Sequence, residues 1–155
     1  LEVGCNLGYN LRALKKIENF NLFAAEPNKM ARDKIISDEI LMRDNIIETS
    51  AQNLTFSTSS MDIVLTYGVL IHIGDKNLIP SMRQIHRVSK RYIITIEYFS
   101  DKPTEIEYGD VLLKKRDYGS IWLDNFSNIS LVKYGFFWKR ITGLDNVHWW
   151  IFEKK

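Results

Sequence analysis

Glu2, Gly4, Asn6 and Gly8 open the chain as an acidic residue followed by three turn-forming residues at every second position, and Glu26 follows 18 residues after Gly8. An apolar strand that breaks into a glycine turn and runs directly into a helix offers bare backbone amides to a ligand. Glycine serves such a turn because, without a Cβ, it accepts positive φ and allows close approach to the main chain. An acid at the end of the second apolar run, where Glu26 stands, can accept hydrogen bonds from both ribose hydroxyls; the bland alternative is a solvated carboxylate beside a helix start. The turn is not the dinucleotide form Gly-x-Gly-x-x-Gly, since Asn6 and Tyr9 occupy two of its glycine places, which argues against nicotinamide chemistry. Cys5, inside the turn, reads as a small packing residue rather than a nucleophile.

A second group could move protons. His72 follows the fourth apolar run and has a free pKa near neutrality, which suits a general base. Glu97 and Tyr98 end the fifth run, Glu97 as a base or as an orienting acceptor and Tyr98 as a wall. Structural alternatives stand beside them: a buried histidine with a satisfied ring, and a Glu97 hydrogen-bonded to a neighbouring loop. His86 reads as structural, and His148, beside Trp149 and Trp150, as hairpin packing. Lys114-Lys115-Arg116 is a solvated face in the plain reading. If that segment folds over a sheet edge, Arg116 pairs with an acceptor carboxylate and Asp117 fixes the arginine, with Tyr118 alongside.

These residues need a scaffold, and the hydrophobic pattern supplies one. Strand and helix signals alternate, which predicts a parallel sheet covered by helices. Leu11, Leu14 and Ile17 mark a first helix; Leu22–Ala25 a second strand; Pro27 the start of a helix through Met30, Ala31 and Ile35. Ile46–Thr49 and Met61–Thr66 read as strands three and four, Leu78–Val88 as a helix with Pro80 in its first turn, and Tyr92–Ile96 as strand five. Residues 100–110 are polar, and Tyr118, Ile121, Trp122 and Phe126 lie on an amphipathic segment. Val132–Trp138 and Val147–Phe152, joined by a Gly/Asp/Asn turn, predict an antiparallel hairpin. The expected fold class is α/β, Rossmann-like, mostly parallel with a C-terminal antiparallel hairpin and helices on both faces. It is expected as one domain over 1–155, with 100–126 as a substrate-side insert.

Composition narrows the classes. A chain of 155 residues with 45% hydrophobic and 26% charged residues suits one soluble globular domain. A net charge of +2 gives no nucleic-acid footprint. One cysteine can form neither an internal disulfide nor a metal-ligand pair, which predicts a reducing, cytoplasmic setting and no metal. The opening at Leu1 inside a core strand leads us to expect further residues before it.

The acidic-x-Gly-x-Asn-x-Gly turn resembles the first motif of class I S-adenosylmethionine (SAM) methyltransferases, with Asn6 at the usual middle glycine. Within that class, Glu2–Leu11, Gly68–Ile73 and Arg87–Ile93 resemble the pseudaminic acid biosynthesis-associated methylases. The likeness continues through Glu97-Tyr98, Lys115–Tyr118, Tyr134–Phe136 and Trp149-Trp150, and so spans essentially the whole chain. Ser100–Pro103 and Gly109 depart from that family's pattern in the region facing the acceptor. The resemblance implies SAM as cofactor, held by Glu2, Gly4, Cys5, Asn6, Gly8, Asn10, Glu26, Pro27, Ser50, Ala51 and Tyr67. Ser50 stands where such enzymes often carry an acid for the adenine amino group, and Tyr67 could face the sulfonium. It implies methyl transfer to a small molecule, a nonulosonic sugar or related carbohydrate, with His72, Glu97 and Tyr98 catalytic and Arg116, Asp117 and Tyr118 at the acceptor. The alternative is an inactive SAM-binding or scaffolding protein of the same fold. Neither a nucleic-acid partner nor a membrane is expected.

Overall fold

The computed structural model describes residues 1–155. Its main sheet has seven strands: β1 (Glu2–Val3), β2 (Ala24–Ala25), β3 (Ile46–Ile47), β4 (Met61–Tyr67), β5 (Ser89–Glu97), β8 (Ile129–Phe137) and β9 (Val147–Lys154). They lie in the order β3-β2-β1-β4-β5-β9-β8. The first five pair in parallel, and β9 runs antiparallel to both β5 and β8. The chain winds outward from β1 to β3, then returns to place β4 on the other side of β1. The sheet therefore reverses its winding between β1 and β4, where the strand ends of such folds leave a crevice. The predicted fold class is the observed one.

Alternation along the strands sends successive side chains to opposite faces. On one face Val3, Ala25, Val64, Ile93 and Phe152 pack with α3 (Asp75–Val88) through Leu78, Met82, Ile85 and Val88, and with Tyr118 and Trp122 of α4 (Tyr118–Asn125). On the other, Ala24 and Ile46 meet Leu11 of α1 (Tyr9–Ile17) and Ile35 of α2 (Lys29–Ser37). No helix is long and apolar enough to cross a membrane.

Several boundaries moved for identifiable reasons. The second helix starts at Lys29 rather than Pro27, because Asn28 caps it by accepting a hydrogen bond from the Ala31 amide. Met30 consequently points to solvent, while Ala31 and Ile35 are buried. The third helix begins at Asp75, so Pro80 lies in its second turn. Ile17 ends its helix exposed. Within 100–126 the polar stretch forms an unpredicted hairpin, β6 (Thr104–Tyr108) and β7 (Val111–Lys115), as a separate two-stranded sheet. Gly109, at φ +59°, makes its two-residue turn possible. The C-terminal hairpin is present, with a short helix α5 (Lys139–Thr142) in its connection.

Candidate functional site

The crevice at the strand ends of β1, β2 and β4 is built from the glycine turn. Gly4 and Gly8 adopt φ of +70° and +73°, and Asn6 also has positive φ, +45°. A Cβ on Gly4 would lie 2.6 Å from Val69 Cγ2, and one on Gly8 3.1 Å from Ile35 Cγ1. The two glycines thus serve both backbone shape and close packing, and Gly8 leads directly into α1.

Glu26 is buried at the end of β2, one carboxylate oxygen accepting from the Asn6 amide and the other from the Asn28 amide, each at 2.8 Å. Its carboxylate ties the glycine turn to the entry of α2. An ionised carboxylate has about four acceptor positions, and these two amides use two of them. Arg32, itself buried, donates to the carbonyls of Glu26 and Pro27 and pairs with Glu48, which fixes that strand end from behind. Pro27 itself is exposed.

Glu2 lies buried in β1. Its Oε1 accepts from Asn10 Nδ2 at 2.8 Å, and its Oε2 has no partner. Burial pushes its pKa up to about 7. Cys5 is buried with its thiol pKa raised, chiefly by desolvation, which fits a packing residue. Past β3, the Ser50 carbonyl accepts from the Asn53 amide and Thr49 Oγ1 donates to the Asn53 carbonyl at 2.6 Å, forming a tight turn over buried Ala51.

Beyond β4 the chain turns at Gly68, φ +62°, into a 3-10 turn, Leu70–His72. His72 is exposed there rather than packed in a helix. Tyr67, half-buried, has its pKa raised by desolvation and by the nearby Asp145 and Glu97 carboxyls. Tyr98 donates to Asp145 Oδ2 at 2.6 Å, with the Lys115 ammonium 5.7 Å from its ring centre. Ends of β4, β5, β7 and the β8–β9 connection therefore meet beside the crevice.

Four assignments change. Glu97 is fully buried, accepting from the Val69 and Leu70 amides at 2.9 Å and the Ile71 amide at 3.3 Å. Both its oxygens face backbone, so it does not present itself to an acceptor as a base. Arg116 is also buried: it pairs with Asp75 and donates to the Tyr118 hydroxyl and the Ile73 carbonyl. Its guanidinium is committed inside the protein, not offered to a carboxylate outside. Asp117 does not fix Arg116; it caps α4, accepting from the Ser120 amide and hydroxyl. Tyr118 is buried and donates to the Lys114 carbonyl at 2.5 Å. Arg116 and Lys114, both paired with Asp75 at the start of α3, hold the β6–β7 hairpin over the Leu70–His72 turn.

Sequence reasoning missed Val69, Asp75 and Asp145. A valine carries no chemical signature, and the two aspartates sit far in sequence from the side chains they meet. A hollow of about 570 Å³, lined by Lys15, Leu22, Ile40 and Met42 among others, includes none of the predicted site residues.

With this geometry in place, comparison with known proteins becomes specific. A family model described as a methyltransferase domain matches residues 1–92, more than half of the chain. The chain belongs to that methyltransferase domain family. The matched part runs from the glycine turn into β5, so it holds the crevice, whereas the β6–β7 hairpin, α4 and the C-terminal hairpin lie outside it. Its strand order and C-terminal hairpin are those of the class I methyltransferase fold, shared with solved structures. The PH0226 protein of Pyrococcus horikoshii is 13% identical with a TM-score of 0.76, over 99% of this chain and 80% of that one. The 1,6-didemethyltoxoflavin-N1-methyltransferase of Burkholderia thailandensis, solved with 1,6-didemethyltoxoflavin and S-adenosylhomocysteine, is 12% identical with a TM-score of 0.79, over 99% and 69%. Magnesium protoporphyrin IX methyltransferase of Synechocystis, solved with SAM, is 14% identical with a TM-score of 0.72, over 99% and 68%. No curated protein matches the chain.

Proposed function

We propose that this protein is an active SAM-dependent methyltransferase acting on a small-molecule acceptor, of the nonulosonic-sugar or related carbohydrate class. The observation that carries the cofactor assignment is Glu26: a buried carboxylate at the second strand end, tethered by two amides and still able to accept two hydroxyls. Gly4, Asn6 and Gly8, all at positive φ, shape the turn beside it, and the unpartnered Glu2 Oε2 offers a further acceptor near Asn10. The cofactor's fit to these residues is good. On this reading Cys5 and Ala51 would pack beneath the cofactor, Pro27 and Ser50 would border its adenosine and Tyr67 its methionine end. Bound there, SAM supplies an activated methyl group for a nucleophilic atom of the acceptor.

The protein's own part is to position and shield. Residues 100–126 form the acceptor-side insert, with the hairpin standing over the Leu70–His72 turn. His72, exposed on that turn, is the base we propose for a protonated oxygen or nitrogen acceptor. Tyr98 forms the wall, and Lys115, near its ring, replaces Arg116 as the cation available to an acidic acceptor. The carbohydrate class rests on the sequence resemblance that spans the chain. Calorimetry with SAM, followed by product scanning against glycan precursors, tests both levels. Methylated sugar product supports the proposal; absence of SAM binding overturns it, and binding without turnover on any acceptor favours the scaffolding alternative.

A further inference from the structure

Glu97 is the most completely buried carboxyl group in the chain, and it serves three consecutive backbone amides rather than another side chain. Consecutive amides converging on one carboxylate form an anion nest, here supplied from within the fold. The nest belongs to Val69, Leu70 and Ile71, the first residues beyond the Gly68 turn. Val69 then reaches back across the crevice, its Cγ2 standing 2.6 Å from where a Cβ of Gly4 would lie. A line of direct contacts thus runs from the end of β5, through the Leu70–His72 turn, to the glycine turn after β1. The other side of the same turn is held by Arg116, which donates to the Ile73 carbonyl and pairs with Asp75.

We propose that Glu97 is a positioning residue for cofactor binding: its carboxylate fixes Val69–Ile71, and Val69 in turn sets the floor of the glycine turn. The assignment rests on the reading that this turn holds the nucleoside of SAM. A side chain that merely filled core space would not need a charge, and an apolar residue would avoid the cost of burying one. Three amides would then lose their acceptor, which is the loss that keeps an acid there.

The consequence is a link between the ionisation of Glu97 and the crevice. An ionised carboxylate accepts from all three amides, whereas a protonated one turns an oxygen into a donor and loosens the turn. Burial pushes Glu97 up to about 7. The groups facing it are Tyr67 of β4, Tyr98 beyond its own strand, Tyr118 of α4 with its neighbour Arg116, and His148, its register partner on β9. Glu2 titrates in the same range across the crevice.

The test is therefore made at the amides themselves. In 1H–15N spectra of the wild-type chain taken from pH 5 to 9, the Val69, Leu70 and Ile71 amides should shift together with one midpoint. In Glu97→Gln that common transition should vanish, while a Glu2→Gln variant should retain it. S-adenosylhomocysteine, measured by calorimetry at pH 8, should bind Glu97→Gln about tenfold more weakly than wild type, a change of about 1.4 kcal/mol. Val69→Ala should show a loss in the same direction. Amides that move independently in the wild type overturn the proposal even if Glu97→Gln does not fold. So does a folded Glu97→Gln whose affinity stays within twofold of wild type. A wild-type chain that shows the amide transition but binds no S-adenosylhomocysteine instead overturns the cofactor assignment, and with it the positioning role, leaving a purely structural tether.

Discussion

Replacing Glu26 with alanine removes a carboxylate that does two jobs, and the two should separate in measurement. In the free protein it accepts from the Asn6 and Asn28 amides. Each such bond to a charged acceptor contributes about 1.5–3 kcal/mol, and solvent at the exposed Asn6 and Asn28 replaces most of it, leaving about 1 kcal/mol in all. The melting temperature should therefore fall by only a few degrees, since about 1 kcal/mol corresponds to roughly 2–4 °C at this chain length. In the complex the same carboxylate would accept two ribose hydroxyls. Hydrogen bonds to a charged group contribute about 1.5–3 kcal/mol each; discounting for water that enters the vacated space, a total near 3 kcal/mol is reasonable. At about 1.4 kcal/mol per tenfold, S-adenosylhomocysteine should bind Glu26→Ala roughly 100-fold more weakly. Glu26→Gln keeps an acceptor oxygen but sets an amide NH2 against a backbone N–H, and should fall between. Calorimetry gives the affinity and thermal unfolding the stability. A Glu26→Ala protein that melts normally and binds within threefold of wild type would refute the argument.

Gly4→Ala should destabilise the fold by about 1–3 kcal/mol in urea unfolding, because φ is +70° and the new methyl meets Val69. Adding Val69→Ala should recover the packing part of that loss but not the backbone part. Arg116→Ala should cost about 1–3 kcal/mol, since it strips the Tyr118 hydroxyl and the Ile73 carbonyl of a buried partner, while the exposed Asp75 loses only its counter-charge. Asp75→Ala leaves the buried Arg116 guanidinium without its counter-charge and should cost at least as much, and the double variant should fall short of the sum, which a double-mutant cycle reads directly. Glu2 and Glu97 both have folded-state pKa values raised from 4.5 to about 7, so the native chain holds more protons than the unfolded one between those limits. These two groups should make stability fall as pH rises from about 4.5 to about 7, then level off. The urea midpoint at pH 5 and pH 7.5 checks this, and Glu2→Gln should flatten the slope.

The parallel sheet and its C-terminal hairpin were legible because burial on two faces leaves continuous runs of β-branched residues, such as Ile93–Ile96, and because turn residues separate them. The glycine turn and the place of Glu26 at the second strand end were legible because their spacing is local and the turn's geometry leaves few other residue types. Glu97 and Arg116 were visible as residues but not as roles. Nothing in sequence separates a carboxylate aimed at solvent from one aimed at the amides of residues 69–71. Arg116 was expected at an open edge because a basic run usually lies in water; its pairing with Asp75 depends on how a hairpin folds back across the sheet. The hairpin itself escaped notice because β6 and β7 are largely exposed and lack the apolar alternation that marks a half-buried strand.

The β6–β7 hairpin forms its own two-stranded sheet and is fastened at its base by Lys114 and Arg116 to Asp75. Its tip, Tyr108–Val111, pairs only with itself. Insertions or replacements there would leave every strand of the large sheet in register, so under the proposed function the acceptor side could be rebuilt while the cofactor side stays constant. Chimeras that exchange residues 104–112 between related chains should thus retain cofactor affinity and change which molecules are modified.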